Sequence, residues 1–304
     1  MFKQYINGKL TDGKGKIAQV YDPSTGEVID TVGCANAEQA KEALNAAASA
    51  FETWSKTPVN ERYNWLMKLK AACIAERDKL IDLVSFESGR PYPAACGDVD
   101  WLLTSLSYYA EEAKRIDGEV LPTQHVGGKE NYHIVTRRPI GVTVGHIAWN
   151  YPLGNASIKL APAVASGCTC IIKPSSETPL ATLYLGVIAE KIGFPAGVIN
   201  IISGPAKKVG FAGQTCVNYN RIYVHEDVYN ELCKKVAKEL SRVKLGRYKD
   251  PGYVMGPVIN SKARDRLLSL INDAVLKGAT LVMGGEVPAE FSCGSYMTPA
   301  LLVD

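Results

Sequence analysis

The chain has 304 residues, of which 46% are hydrophobic and 21% are charged, a composition typical of a soluble globular protein with room for about two domains. Its 34 basic and 31 acidic side chains give a net charge of +3, too small an excess to indicate a nucleic-acid or anionic-membrane partner. The longest apolar stretch, 160–172, is shorter than the ~20 residues that span a bilayer. The N-terminus, 1–5, lacks the apolar core of a secretory signal, so we expect a cytoplasmic protein whose eight cysteines are mostly free thiols.

Helices are predicted first along the chain. The first begins at Asn36, a residue type that caps helix N-termini, with Gln39 three positions later. Its apolar residues recur at helical spacing: Ala40, Ala43, Leu44, Ala47 and Phe51. A second helix is predicted over 61–88 and ends at Gly89, and a third is predicted over 99–115.

Strands then appear between the helices. Segments 133–139 and 140–145 are rich in β-branched residues and are predicted to be extended. A strand over 169–173, a helix over 179–192 and a strand over 198–202 follow in turn. This alternation predicts an α/β fold in which helices cover a parallel sheet.

The C-terminal third is predicted to repeat the alternation. Its predicted elements are strand 221–224, helix 228–243, helix 261–277 and strand 279–283. One apolar face of the first of these helices is formed by Leu232, Val236, Leu240 and Val243. We place a domain boundary at 205–211, with α/β structure on both sides.

Asn150 is the first candidate functional residue. It stands between Trp149 and Tyr151 and precedes Pro152, where a strand gives way to a loop. Its amide is able to donate to a developing oxyanion, as some acyl-transfer sites require. The alternative is an N-cap for the helix that begins near Leu153, and composition alone favours that cap.

Lys173 is the second candidate. It ends a buried strand and is followed by Ser176 and by the start of a helix. Ligands of open α/β sheets bind at the carboxyl ends of strands, and helix N-termini favour anions. A polar surface loop is the equally weighted alternative.

Cys216 is the third candidate, in the segment Ala-Gly-Gln-Thr-Cys-Val that covers 212–217. An exposed thiolate is a nucleophile, and neighbouring backbone amides are able to bind an oxyanion. Composition alone favours a small buried hydrophobe instead. The G-x-G-x-x-G dinucleotide motif is absent from the sequence.

The three segments in this order resemble the aldehyde dehydrogenase superfamily. Further similar segments are 5–9, 21–26, 138–142, 160–167, 194–200 and 256–259. The resemblance implies an α/β fold with a Rossmann-type cofactor domain over 1–210 and an α/β catalytic domain over 211–304. It also implies an extended oligomerisation hairpin at about 122–142, and hence a homodimer or homotetramer.

The resemblance assigns roles to the candidate residues. Cys216 would attack the aldehyde to give a thiohemiacetal, and Asn150 with the Cys216 backbone amide would hold its oxyanion while hydride passes to NAD or NADP. The implied cofactor-binding residues are Ile147, Ala148, Trp149, Lys173 and Ser176. The implied substrate pocket contains Tyr151, Asn155, Thr215 and Val217. The resulting thioester would be hydrolysed to the acid without a metal.

Two segments of the family are missing from this sequence. Between Ser203 and Ala212 the family carries a long stretch that includes the glutamate activating the hydrolytic water, and the chain ends at Asp304, before the segment that binds the nicotinamide ribose. An omitted disordered segment, a deletion and a naturally shortened chain all explain the internal gap. The first is favoured because loss of central strands leaves unpaired backbone. An intact mass close to 32.9 kDa excludes it.

Ser176 and Ile158 indicate the cofactor and the substrate. Many NAD-preferring relatives carry glutamate at the position of Ser176, and a serine there accommodates the 2′-phosphate of NADP, so NADP is slightly favoured. Relatives that oxidise succinic semialdehyde often have arginine at the position of Ile158. We therefore expect a small, polar aldehyde, with a semialdehyde still open.

Three alternatives to this function remain. A CoA-acylating relative would pass the acyl group to a thiol instead of water. A catalytically inactive homologue would have a structural or binding role. A metal hydrolase is the weakest alternative, because the four histidines lack ligand spacing.

Overall fold

The computed structural model describes residues 1–123, 131–204, 224, 226–247, 250–252, 255–291 and 293–303. The predicted domain boundary at 205–211 and most of the predicted strand 221–224 lie outside this part of the chain. The division into domains 1–210 and 211–304 therefore stays a prediction.

A five-stranded sheet forms the centre of the fold, in the order β2-β1-β9-β8-β7. Its strands are β1 (Gln4–Ile6), β2 (Lys9–Thr11), β7 (Val142–His146), β8 (Thr169–Lys173) and β9 (Ile199–Ile201). β7, β8 and β9 are parallel, whereas β1 pairs antiparallel with both β9 and β2. The predicted parallel sheet is confirmed, and the N-terminal strands β1 and β2 extend it in antiparallel orientation.

Three antiparallel pairs complete the described strands: β3 (Ile17–Tyr21) with β4 (Val28–Gly33), β5 (Glu119–Thr123) with β6 (Asn131–Val135), and β10 (Thr280–Met283) with β11 (Leu301–Val303). The hairpin expected at about 122–142 is the β5–β6 pair. It begins and ends earlier than expected, at Glu119 and Val135, and Pro139 lies in the segment between β6 and β7.

Eight helices are described: α1 (Ala37–Trp54), α2 (Val59–Ala75), α3 (Arg77–Ser88), α4 (Tyr92–Ala113), α5 (Pro152–Ala165), α6 (Leu180–Lys191), α7 (Glu226–Leu240) and α8 (Ser261–Leu276). The predicted cap of α1 is confirmed, because Asn36 Oδ1 accepts from the Gln39 backbone N–H at 2.9 Å. Gly89 ends α3 in the left-handed conformation, as predicted.

Four helix predictions need correction. The helix predicted over 61–88 is two helices, because the backbone leaves helical geometry at Glu76. α4 begins at Tyr92, well before 99, since its Pro93 lies in the first turn, where no backbone N–H is needed. Ala40 and Leu44 of α1 are exposed, and its buried face is formed by Gln39, Ala43, Ala47 and Trp54. No residue of α7 is buried within the described part of the chain, so its predicted apolar face lacks a full packing partner there.

The sheet separates two layers of helices. On β8, Ile171 packs with Ala43 and Ala47 of α1, whereas Cys170 and Ile172 face the cluster that contains α5 and α6. This alternation places α1 on one face and α5 and α6 on the other. β7 and β8 run in register and end together at His146 and Lys173, so the loops that follow them meet at one edge of the sheet.

Candidate active site at the carboxyl edge of the sheet

The loops after β7 and β8 are joined by two hydrogen bonds. The backbone N–H of Ile147 donates to the carbonyl of Lys173 at 2.9 Å. The Thr178 hydroxyl donates to the Trp149 carbonyl at 3.1 Å. Trp149 is buried and packs on Ile259, so the C-terminal part of the chain also supports this edge.

The predicted cofactor residues therefore lie along one edge. Ile147 and Trp149 are buried, Ala148 is exposed, and Lys173 and Ser176 are half-buried. Burial lowers the pKa of Lys173, and the neighbouring Cys34 acts in the opposite direction. The edge thus combines apolar contacts with a cation and a hydroxyl.

Ser176 also lines a groove of about 330 Å³, together with Glu177 and Asn260. Asn260 Nδ2 donates to Glu177 Oε2 at 3.2 Å, which engages the one carboxylate next to Ser176 in the chain. The polar loop after β8 is therefore part of an organised groove.

Asn150 does not cap α5. The helix begins after Tyr151, which makes no side-chain cap bond. The backbone N–H groups of Leu153 and Gly154 instead donate to the carboxylate of Asp98, at 3.2 and 2.9 Å. The cap that composition favours is therefore wrong, because a carboxylate from another helix already holds these N–H groups.

Arg90 and Asn155 hold Asn150 in place. Arg90 Nη2 donates to the backbone carbonyl of Asn150 at 2.6 Å, and its guanidinium lies 3.7 Å from the centre of the Tyr151 ring. Asn155 Nδ2 donates to Asn150 Oδ1 at 3.2 Å. Tyr151 also meets the ring of Trp101 edge-on at 5.5 Å. Two of the four predicted pocket residues, Tyr151 and Asn155, therefore take part in the contacts around Asn150.

A second buried carboxylate holds the N-terminus of α6. Glu87 accepts from the backbone N–H groups of Leu180 and Ala181 at 2.6 and 3.0 Å. Burial raises the pKa of Glu87 to about 8 and that of Asp98 to about 6. The expectation that the helix after Lys173 offers its N-terminus to an anionic ligand is therefore corrected, because Glu87 occupies the first of these N–H groups.

Sequence reasoning missed Arg90, Asp98 and Glu87. One signal was present: Asp98 interrupts an apolar stripe at helical spacing, formed by Ala95, Val99 and Leu102. An acidic residue on such a face indicates a buried polar partner.

The remaining predicted site residues, Thr215, Cys216 and Val217, lie outside the described residues. In the described ranges, no group of histidine, cysteine and carboxylate side chains is placed to bind a metal ion. No helix in those ranges has the length and apolar character needed to cross a bilayer.

Known proteins with similar sequences were found by comparison. The sequence model of the aldehyde dehydrogenase family matches residues 10–212 and 206–304. A 3,6-anhydro-alpha-L-galactose dehydrogenase of Vibrio sp. (strain EJY3) is 30% identical over 99% of this chain and 76% of its own length. An NADP(+) succinate-semialdehyde dehydrogenase of Escherichia coli (strain K12) is 29% identical over 100% of this chain and 76% of its own length.

Solved structures agree with these sequence matches. The crystal structure of an aldehyde dehydrogenase from Brucella melitensis biovar abortus 2308 superposes with a TM-score of 0.90 at 31% identity, covering 99% of this chain and 75% of that one. The chain thus spans about three quarters of the length of these proteins.

Part of the length difference is internal. The alignment with the Vibrio protein has 371 positions, and this chain has 304 residues, so at least 67 positions of that protein have no counterpart here. The two matched pieces of the family model meet at 206–212. The predicted internal gap is confirmed, and it lies at the predicted place.

Proposed function

The chain belongs to the aldehyde dehydrogenase family, and we propose that it oxidises a small polar aldehyde or semialdehyde to the carboxylic acid, with NAD(P) as the hydride acceptor. The observation that carries the proposal is the fixed position of Asn150. Its backbone carbonyl is bound by Arg90 and its side-chain oxygen by Asn155, which leaves the side-chain amino group to donate to a substrate oxygen.

The reaction uses three groups of this chain. The Cys216 thiolate forms a bond to the aldehyde carbon, and the negative charge that moves to oxygen is stabilised by Asn150 and by the Cys216 backbone N–H. Bound NAD(P) supplies the acceptor for the hydride that leaves this carbon. Water then displaces the thiolate from the thioester, which yields the acid and restores Cys216.

The residues at the sheet edge fit the adenosine half of the cofactor. Lys173 and Ser176 offer a cation and a hydroxyl beside the buried Trp149, as a ribose and its phosphate require. The first backbone N–H groups of α5 and α6 already donate to Asp98 and Glu87. The diphosphate of the cofactor would therefore be bound by groups other than these two helix N-termini.

Turnover of a small hydroxyaldehyde with NADP, followed by the absorbance of NADPH, tests the proposed function. Cys216→Ser should abolish turnover, and Asn150→Ala should lower kcat by about 10²–10³-fold, the usual effect of removing one oxyanion donor. Asn45→Ala, on the exposed face of α1, is the matched control and should leave kcat unchanged. Turnover that survives loss of the Cys216 thiol would contradict the mechanism.

Ser176 supports acceptance of NADP at least as well as NAD. Its hydroxyl is able to donate to a 2′-phosphate, and the Glu177 carboxylate next to it is bound by Asn260. The similar Escherichia coli enzyme is an NADP(+) enzyme by name.

Adenosine fragments test this preference without any catalytic step. Calorimetry should show 2′,5′-ADP binding at least as tightly as 5′-AMP. Ser176→Glu should weaken 2′,5′-ADP by about tenfold or more through like-charge repulsion, whereas the uncharged Ser176→Gln should have a smaller effect. Clearly tighter binding of 5′-AMP to the unsubstituted chain would refute the preference.

The internal gap supports two alternatives. The resemblance places the hydrolytic glutamate in the stretch that has no counterpart here. Without it, the acyl group would pass to a thiol such as CoA, or the chain would be a catalytically inactive homologue. Acyl-CoA formed only on addition of CoA identifies the first case, and a Cys216 that forms no aldehyde adduct identifies an inactive homologue.

We also propose that the chain assembles as a homodimer or homotetramer through the β5–β6 hairpin, and that it is cytoplasmic. Apolar side chains on both strands support the assembly, because Val120 and Ile134 are 63% and 73% exposed. An isolated two-stranded ribbon is marginally stable in water and gains from a partner.

A further inference from the structure

We propose that Asn155 is a positioning residue that orients the amide of Asn150, so that the amino group and not the oxygen faces the aldehyde. The proposal rests on the proposed function, because it assigns a cause to the donor role of Asn150. It starts from the hydrogen bond of 3.2 Å between Asn155 Nδ2 and Asn150 Oδ1.

The backbone of Asn150 is fixed independently of Asn155. Arg90 Nη2 binds its carbonyl at 2.6 Å, and the carbonyl of Trp149 before it is bound by Thr178. The freedom that remains is rotation of the Asn150 side chain, including exchange of its oxygen and amino ends. One hydrogen bond to the oxygen end is sufficient to select between the two orientations.

Asn155 reaches Asn150 because of its place in α5. Its backbone N–H donates to the Tyr151 carbonyl at 2.8 Å, so Asn155 lies one helical turn beyond the start of the helix. Side chains of a helix lean toward its N-terminus, which directs Asn155 back to Asn150, two residues before α5 begins. No described residue accepts a hydrogen bond from Asn150 Nδ2, so this atom remains available to a ligand.

The same pair of amides has a reversed arrangement, in which Asn150 donates to Asn155. That arrangement would consume the donor that the reaction needs. A side chain at 155 that only accepts hydrogen bonds enforces it, whereas an apolar side chain of similar size leaves Asn150 free to rotate. Asn155→Asp and Asn155→Leu therefore separate orientation from packing.

The test uses the reversible adduct of Cys216 with glyceraldehyde, which requires neither cofactor nor hydrolysis. The sulfur bonds to the aldehyde carbon and the thiol proton passes to the carbonyl oxygen, which gives a neutral hemithioacetal without oxidation or reduction. The adduct is measured as protection of Cys216 from iodoacetamide, read by mass spectrometry of its peptide. Alkylation rates without aldehyde and thermal melting curves accompany each variant.

We expect Asn155→Leu to weaken the adduct by about three- to tenfold and Asn155→Asp to weaken it more, with unchanged alkylation rates in the absence of aldehyde. Protonation of the new carboxyl restores a donor, so lowering the pH should strengthen the adduct of the Asp variant relative to that of the Leu variant. The pH dependence is measured on the folded Asp variant, and the Leu variant is the reference because it has no titrating group at position 155. A purely structural role for Asn155 would give both variants the same pH dependence.

Two results would overturn the inference, and they differ. Equal adduct affinity in the unsubstituted chain and both variants would exclude an orienting role for Asn155 while leaving the proposed function intact. Absence of any glyceraldehyde protection in the unsubstituted chain would instead overturn the proposed function, and this inference with it.

Discussion

Gly154 lies where α5 packs against Trp101 and Asp98 of α4. A Cβ atom at this position would lie 2.3 Å from Cε3 of Trp101 and 2.9 Å from Oδ1 of Asp98. Both neighbours support the loop of Asn150, Trp101 through the Tyr151 ring and Asp98 through the start of α5. Because Gly154 has no side chain, Trp101 and Asp98 are able to pack against α5 and support the loop that carries Asn150.

Gly154→Ala should lower the free energy of unfolding by about 1–3 kcal/mol, because Trp101 and Asp98 must both move. Gly97→Ala is the matched control on α4, where a Cβ meets nothing within 4 Å, and it should raise the free energy of unfolding by about 0.5–1 kcal/mol. Urea unfolding of both variants measures the difference. Equal stability of the two variants would contradict the predicted clash.

The residues around Asn150 also show what sequence could and could not predict. Lys173 ends β8 and Asn150 lies in the loop after β7, so their shared edge was predictable from strand order. Arg90 and Asp98 stand 60 and 55 positions from the groups they bind, and no local pattern joins them. The apparent cap at Asn150 was wrong for the same reason, since the true cap comes from another helix.

At the scale of elements, local signals predicted helices with caps and strands with β-branched runs. α1, α6 and β8 agree with their predicted ranges because Asn36, Gly193 and the run 169–173 are local signals. The break at Glu76 carries no glycine or proline, so the periodicity of 61–88 did not reveal it. Packing against neighbouring helices decides such a break, and sequence periodicity does not contain that information.

Glu87 links α3 to α6 and makes stability depend on pH. Its pKa is raised to about 8 by burial, above the ordinary value of 4.5, so the folded chain binds a proton that the unfolded chain has lost. The free energy of unfolding should therefore fall as the pH rises from 4.5 to about 8, by about 1.4 kcal/mol for each pH unit. The raised pKa of Asp98, about 6, adds a fall only at the acidic end of the window.

Urea unfolding between about pH 6 and pH 8 isolates the contribution of Glu87. Glu87→Gln removes the titrating group and keeps one acceptor for the N–H groups of Leu180 and Ala181. We expect a flatter profile for this variant, whereas Asp98→Asn should retain the slope above pH 6. A Glu87→Gln profile as steep as that of the unsubstituted chain would rule out this origin.

At the scale of the whole molecule, β7 is the last strand on one side of the described five-stranded sheet. Within the described ranges no strand pairs with the outer edge of β7, and Val144 on that strand is 58% exposed. The Vibrio relative has at least 67 positions with no counterpart in this chain. The sequence predicted this internal gap through the short distance between Ser203 and Ala212, and the two matched pieces of the family model meet at the same place.

The exposed β5–β6 hairpin leads to the prediction for the whole assembly. Ile134→Lys places a charge on an apolar strand that is 73% exposed, and it should lower the sedimenting mass from that of an oligomer to that of a monomer. Leu276→Lys is the matched control, because Leu276 is an apolar residue that is 87% exposed on a different element, at the end of α8. Sedimentation velocity at several concentrations distinguishes a defined oligomer from nonspecific aggregation. An assembly that is lost with Leu276→Lys and kept with Ile134→Lys would move the interface away from the hairpin.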